Sequence, residues 1–346
     1  MQNQPDKTEP VGLEYLEQTL RELGEFYYWP NHGNVGDLLI AEATRQYFQR
    51  KRLSWRPYDP HNPPEGEYAL VYGGGGRFSE HWGGPVGGIA PLIAKNVKQC
   101  VILPHSFYRV DKELARFDAR HILFCREQLS YNYVCSVVRG ARVWLADDMA
   151  LQYEVSDCNS CRPENLDNRP AGEDTETQEK WLAGMGAERM QIMVKRAMVI
   201  SSATKRKIAF LLRTDAEKNG RLVSLLSYDI SAEWNGNCAE TKHSGRLVAS
   251  FAKALEQADV VVTDRLHVAV MSMLLGKVVY MLDNDYGKLS AVYAQSMKEL
   301  SNVHLLLSGD IWPEEILAAW KKLNSPWRVW YYLLRRWARR ILTRLK

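Results

Sequence analysis

The 346-residue chain is 46% apolar and 25% charged, the composition of a globular protein with ample core and more than one ordinary domain. That balance excludes a disordered chain, a collagen-like repeat and a small disulfide scaffold. The net charge of +4 is unevenly held. Residues 325–346 carry seven cations (Arg328, Arg335, Arg336, Arg339, Arg340, Arg344 and Lys346) and no acid, leaving −3 on the rest of the chain, which argues against a nucleic-acid-binding body.

Residues 11–24 repeat apolar positions at helical spacing, and FYYW at 26–29 then reads as a strand. A helix is expected over Asp37 to Gln49, a strand over YALVY at 68–72, a glycine-rich loop, and a helix near 86–98. CVIL at 100–103 and HILFC at 121–125 have the unbroken apolar character of buried strands, 126–138 reads as a helix, and ARVWL at 141–145 closes this half. Residues 154–206 break the rhythm with a polar, acidic stretch without periodicity. Alternation resumes with a strand at 207–212, a helix at 244–257, a strand at 259–262, a helix at 265–275, a strand at 277–282, a helix near 288–297 and a strand at 303–307. Strands alternating with helices at this pitch predict an α/β fold of two Rossmann-like halves facing a cleft, with ligands at the carboxyl ends of the strands.

Composition also frames the setting. MQNQPDKTEP at the start has no apolar run of the secretory kind, and no stretch reaches the roughly 18 apolar residues of a spanning helix. The cysteines at 100, 125, 135, 158, 161 and 238 lie mostly inside apolar runs, as buried thiols do. The expectation is a cytoplasmic protein. Cys158-Asn159-Ser160-Cys161 lacks two further ligands of matching spacing, so no metal is expected.

Three strand-end loops carry candidate chemistry. In Asn31-His32-Gly33-Asn34-Val35-Gly36-Asp37, two glycines permit a tight turn, and Asp37 stands where a helix N-cap belongs. Such a helix start accepts an anion or a sugar hydroxyl, or Asp37 merely caps. Gly73-Gly74-Gly75-Gly76 fails the dinucleotide fingerprint, because Phe78 and Ser79 stand where its last glycine belongs. The run still demands close approach to a ligand or to an opposing chain, and the ligand is favoured. Asp264-Arg265-Leu266-His267 follows a buried strand and opens a helix. A guanidinium there offers a fork to carboxylate or phosphate, and imidazole is the natural acid or base near neutrality. An isolated pair of this kind is more often a surface arginine and a structural histidine. Arg213 at the end of KIAFLL and Lys288 after Asn284-Asp285-Tyr286-Gly287 add two cations on strand ends of the same half, which together suggest a pocket for a small anion bearing carboxylate and phosphate.

GNVGDLLI at 33–40, VYGGGG at 71–76, ILPHSF at 102–107, CREQLSY at 125–131, ADDMAL at 146–151, AFLLRTDAE at 209–217, TDRLHVAVMSMLLGK at 263–277 and YGKLSAVY at 286–293 run in this order along the chain. In these segments it resembles the polysaccharide pyruvyl transferase family. The resemblance implies a glycosyltransferase-B-like fold that moves pyruvate from phosphoenolpyruvate onto a sugar, usually as a cyclic ketal, and releases phosphate without a cofactor. It places Arg265 and His267 on the donor-binding and catalytic positions and Arg213 on a companion arginine, and Leu266 and Lys288 are expected on the phosphoenolpyruvate side with them. His267 is then the expected proton donor. Asp37 would deprotonate or position the sugar hydroxyl, with Asn34, Gly36, Gly74, Gly75 and His105 on the acceptor side. His105 departs from the glutamine that many members carry.

The domains expected are 1–153 for the acceptor, 154–206 as a connection or insert, 207–324 for phosphoenolpyruvate, and 325–346 as a basic amphipathic helix. At about 100° per residue, Trp327, Trp330, Tyr331, Leu334, Trp337, Ala338, Ile341, Leu342 and Leu345 share one face, and Arg328, Arg335, Arg336, Arg339, Arg340 and Arg344 the other. Tryptophans opposite arginines match an interfacial anchor on an anionic membrane, suited to a polyprenyl-diphosphate-linked acceptor. The same stripe would be buried if the helix crossed back onto the first domain. A nucleotide-sugar glycosyltransferase and a non-catalytic membrane-docked sugar-binding module are the rival functions.

Overall fold

The computed structural model describes residues 12–85, 87–155, 186, 188–215, 226–233, 235–236, 244–283, 287–331 and 333–334. The chain divides into two compact units, one of 1–157, 235–245 and 291–299, the other of 158–234, 246–290 and 300–346. Cys158 and Cys161, most of the 154–206 stretch, and Arg335, Arg336, Trp337, Arg339 and Arg340 lie outside the described residues.

The first unit begins with helix α1 (Leu13–Leu23), which buries Leu16 and Leu20 and exposes its charged side. Its sheet is parallel throughout, in the order β3-β1-β4-β5-β6-β7. The strands are β1 (Phe26–Trp29), β3 (Trp55–Pro57), β4 (Tyr68–Tyr72), β5 (Val97–His105), β6 (His121–Cys125) and β7 (Arg142–Leu145). Central strands such as β6 are buried along their whole length, because both faces of a parallel sheet are covered, and this is why they read as unbroken apolar runs. Helix α2 (Val35–Arg50) connects β1 to β3, α3 (Asp111–Leu114) lies between β5 and β6, and α4 (Gln128–Val137) follows β6. A two-residue strand β2 (Gly33–Asn34) pairs antiparallel with β10 (Asn235–Gly236).

The chain leaves β1 toward β3 on one side, then returns to β4 and continues through β5, β6 and β7 on the other. The direction of winding therefore reverses between β1 and β4. The carboxyl ends at such a reversal diverge and leave a crevice, and the loops there are 30–34 and 73–78.

The helix expected near 86–98 does not form. Gly83, Gly84, Gly87 and Gly88 all have positive φ, between 68° and 90°, a conformation incompatible with a right-handed helix. Only one 3-10 turn, Ala90–Ile93, remains, and β5 begins by Val97.

The second unit carries the sheet β13-β12-β11-β9-β8. Strands β9 (Lys207–Leu211), β11 (Val260–Thr263), β12 (Val278–Leu282) and β13 (Val303–Leu306) are parallel, and β8 (Met198–Ile200) adds an antiparallel edge after helix α5, described over 188–197. Helices α6 (Ser244–Leu255), α7 (Leu266–Leu274) and α8 (Lys288–Ser296) connect the strands, with residues 244–245 of α6 and 291–296 of α8 belonging to the first unit. Helix α9 (Glu314–Leu323), absent from the sequence reading, covers the sheet with Ile316, Ala319 and Leu323, and Trp320 lies 5.1 Å from Phe210. Its two acids at the start and two lysines at the end complement the helix dipole, a start-and-stop signal that strand alternation alone passes over.

Candidate active site

In the first unit the loops at the reversal are tied together by side chains. Asn34, not Asp37, is the N-cap of α2: its Oδ1 accepts the Gly36 N–H at 2.8 Å. The helix starts two residues earlier than the sequence suggests, so Asp37 falls at its third position. There Asp37 Oδ2 accepts the Asn34 N–H at 2.9 Å, completing a capping box. Its other oxygen accepts Asn31 Nδ2 at 3.1 Å, and Asn31 Oδ1 in turn accepts the buried Tyr72 hydroxyl at 2.7 Å. Asp37 thus links the α2 start to the carboxyl ends of β1 and β4.

The glycine run is explained in part by the protein's own chain. A Cβ on Gly73 would stand 2.6 Å from the Asn31 nitrogen, and one on Gly74 2.6 Å from the Pro104 oxygen. Gly75 has φ +140°, and a Cβ there would meet Asn31 Nδ2 at 2.6 Å and Asp37 Oδ1 at 3.3 Å. The close approach at Gly73 and Gly74 is therefore to opposing backbone, the alternative that the sequence reading placed second. A side chain on Gly33 would collide with the Asp37 carboxylate.

His105 is fully buried beneath this loop. Its Nε2 accepts the backbone N–H groups of Arg77 (3.0 Å) and Phe78 (3.3 Å). Two donors aimed at Nε2 leave the proton on Nδ1, which donates to the Gly73 carbonyl at 3.3 Å. The imidazole also stacks on Tyr72 and meets Phe78 edge-on. Both ring nitrogens are engaged by the loop that His105 supports.

CREQLSY and ADDMAL meet in a buried network next to this loop. Arg126 Nη1 pairs with Asp148 Oδ2 at 2.6 Å, both side chains essentially inaccessible, and Arg126 Nε donates to Ser106 Oγ at 2.8 Å. Ser106 Oγ donates to Glu127 Oε2 at 3.0 Å, and Ser130, itself bonded to Glu127, accepts the Phe107 N–H at 2.8 Å. The network fixes residues 106–107, and its members face one another rather than solvent.

In the second unit Arg213 and Arg265 come together at the ends of β9 and β11. Arg213 reaches Asp215 through Nε (2.8 Å) and Nη2 (3.0 Å), and its backbone N–H donates to Asp264 Oδ1 at 2.7 Å. Arg265 is the N-cap residue of α7; its N–H donates to Thr263 Oγ1 at 3.0 Å. Its guanidinium donates through Nε to Asp229 Oδ1 (3.0 Å), through Nη2 also to Asp229 Oδ2, and through Nη2 to Asp215 Oδ2 at 2.7 Å. Asp229 is held from behind by the Thr214 N–H at 3.0 Å. Asp215 thus bridges the two arginines, and Asp229 sets the plane of the second.

Leu266 is buried and His267 half-buried, side by side in the first turn of α7. Lys288 is half-buried at the first position of α8, and the Ser290 N–H in the same turn donates to Asp283 Oδ1 at 3.2 Å. Asp215, Asp229, Asn31 and Tyr72 escape sequence reasoning. Asp215 sits two residues from Arg213, a faint local signal, but Asp229 meets Arg265 across 36 positions.

The chain is similar to known proteins over most of its length. The sequence pattern of the polysaccharide pyruvyl transferase family matches residues 34–286, which takes in Asp37, the glycine run, Arg213, Arg265 and His267. EpsO of Bacillus subtilis (strain 168), a protein named for pyruvyl transfer, is 26% identical over 295 residues, 80% of this chain and 86% of its own. A crystal structure of an uncharacterized protein from Klebsiella pneumoniae subsp. pneumoniae NTUH-K2044 superimposes with a TM-score of 0.63, covering 86% of this chain and 97% of that one at 24% identity. That last likeness speaks for the fold alone.

Proposed function

The chain belongs to the polysaccharide pyruvyl transferase family, and from that premise we propose that it moves a pyruvyl group from phosphoenolpyruvate onto a hydroxyl pair of a polysaccharide precursor. The product is a cyclic ketal and the by-product phosphate; the acceptor is a polyprenyl-diphosphate-linked sugar. The observation that carries the reading is the arrangement at the ends of β9 and β11, where Arg213 and Arg265 share Asp215 and His267 follows in the first turn of α7.

Phosphoenolpyruvate is a compact anion with a carboxylate at one end and a phosphate at the other. Arg213 and Arg265 hold the carboxylate, and Lys288 neutralises the leaving phosphate, each acting where charge develops. His267 delivers a proton to the methylene carbon, which becomes the methyl group and leaves carbon two oxocarbenium-like. One sugar hydroxyl adds there, the phosphate departs with the carbon–oxygen bond electrons, and the second hydroxyl closes the ring. The two hydroxyl protons balance the proton taken up at carbon and the one carried off by phosphate. No cofactor enters this scheme.

Asp37 positions or deprotonates the first hydroxyl, with Asn34, Gly36, Gly74 and Gly75 lining the acceptor side. His105 serves that side through the loop it holds. Incubation of the full-length protein with phosphoenolpyruvate and candidate lipid-linked sugars tests the scheme. The expected result is phosphate release that depends on the acceptor, together with the added pyruvyl mass on the sugar. Transfer from a nucleotide sugar, with phosphoenolpyruvate inert, would overturn it.

A further inference from the structure

Beyond α9, residues 326–331 are again helical, as are 333 and 334. One side of this segment belongs to the second unit: Val329 packs against its core, and Arg328 Nη2 donates to the carbonyls of Arg196 (3.4 Å) and Met198 (3.3 Å). The other side carries exposed apolar side chains. Trp327 is 70% exposed and Trp330 55%, with their rings stacked 5.8 Å apart, and Tyr331, Leu333 and Leu334 are exposed beside them. Single exposed apolar residues are ordinary, but five large ones within eight positions form a patch, and patches mark interaction sites.

Charge identifies the partner. No acid occurs anywhere in 325–346, and Arg335, Arg336, Arg339, Arg340, Arg344 and Lys346 follow the aromatic patch in sequence. The segment also lies beyond the family match, which ends at 286. A second copy docking on the same face would set one sevenfold positive tail against another. Among the described residues no helix is long and apolar enough to cross a membrane.

We propose that this C-terminal segment docks the protein on an anionic lipid bilayer. Trp327, Trp330 and Tyr331 enter the headgroup region, where amphipathic rings are favoured, and the basic residues engage the lipid phosphates. The inference is independent of the donor substrate, because it concerns binding alone.

Flotation of the full-length protein with vesicles tests it. The protein is expected to float with phosphatidylglycerol-containing vesicles at low salt, to ignore phosphatidylcholine alone, and to lose most of its binding near about 0.5 M salt. Trp327→Ser/Trp330→Ser should bind at least about tenfold more weakly, with an unchanged Tm because both rings are exposed. Reversing Arg335, Arg336, Arg339 and Arg340 to glutamate should weaken binding by at least about tenfold as well. The proposal is overturned if the intact protein stays unbound at low salt, or if both variants float as well as it does. It is equally overturned if the variants turn a solution dimer into a monomer while vesicles are ignored, which would make a second copy the occupant.

Discussion

Arg265 and Asp229 meet side-on in the second unit, Nε to Oδ1 at 3.0 Å with Nη2 on the other carboxylate oxygen, and both residues are buried. A guanidinium held this way cannot swing, so the edge that remains for an anion is aimed in advance. Asp229→Ala would strip the partner from a buried cation and should lower unfolding stability by about 3–5 kcal/mol, read by urea denaturation. Arg265→Lys keeps the charge but not the fork; pyruvyl transfer should fall by at least about tenfold. Wild-type turnover in the lysine variant would remove Arg265 from the donor site.

His267 stands two residues further on, at the second position of α7. If it protonates the methylene carbon, His267→Ala should abolish turnover and leave phosphoenolpyruvate affinity within about tenfold of wild type. Calorimetric binding and acceptor-dependent phosphate release separate the two quantities. Affinity lost in step with rate would make His267 a binding residue instead.

Asp37 accepts from two donors at once, the Asn34 backbone and the Asn31 side chain. An asparagine presents one oxygen and one amide nitrogen, so Asp37→Asn leaves a donor facing a donor. That should cost about 1–2 kcal/mol in thermal or urea unfolding. A role toward the sugar predicts a second effect: activity near zero at temperatures where the variant is fully folded. A folded variant with ordinary activity would leave Asp37 as the closing member of a capping box.

His105 acts as an acceptor at Nε2 and a donor at Nδ1. A glutamine amide supplies the same two functions. His105→Gln should therefore keep both fold and activity, whereas His105→Leu should lose about 1–3 kcal/mol of stability by orphaning the Arg77 and Phe78 N–H groups. Equal behaviour of the two variants would show that the loop does not depend on those bonds.

Local chemistry was enough to read the strands YALVY and HILFC and the helix after Thr263. A buried parallel strand is a short apolar run bounded by turn residues, and nothing distant is needed to see it. The cations Arg213 and Arg265 were legible as strand-end residues for the same reason. Their carboxylate partners were not, since Asp229 reaches Arg265 only after β9 and β11 pair in parallel register. Nor could sequence tell whether Gly73 and Gly74 approach a ligand or their own chain; the backbone at Asn31 and Pro104, brought close by the neighbouring strands, decided that. The amphipathic face of residues 327–334 could be read from spacing alone, but which side the fold would cover could not. That was decided by Val329 packing against the second unit's core and leaving the tryptophans exposed, because periodicity defines a face and only packing against a neighbour assigns it.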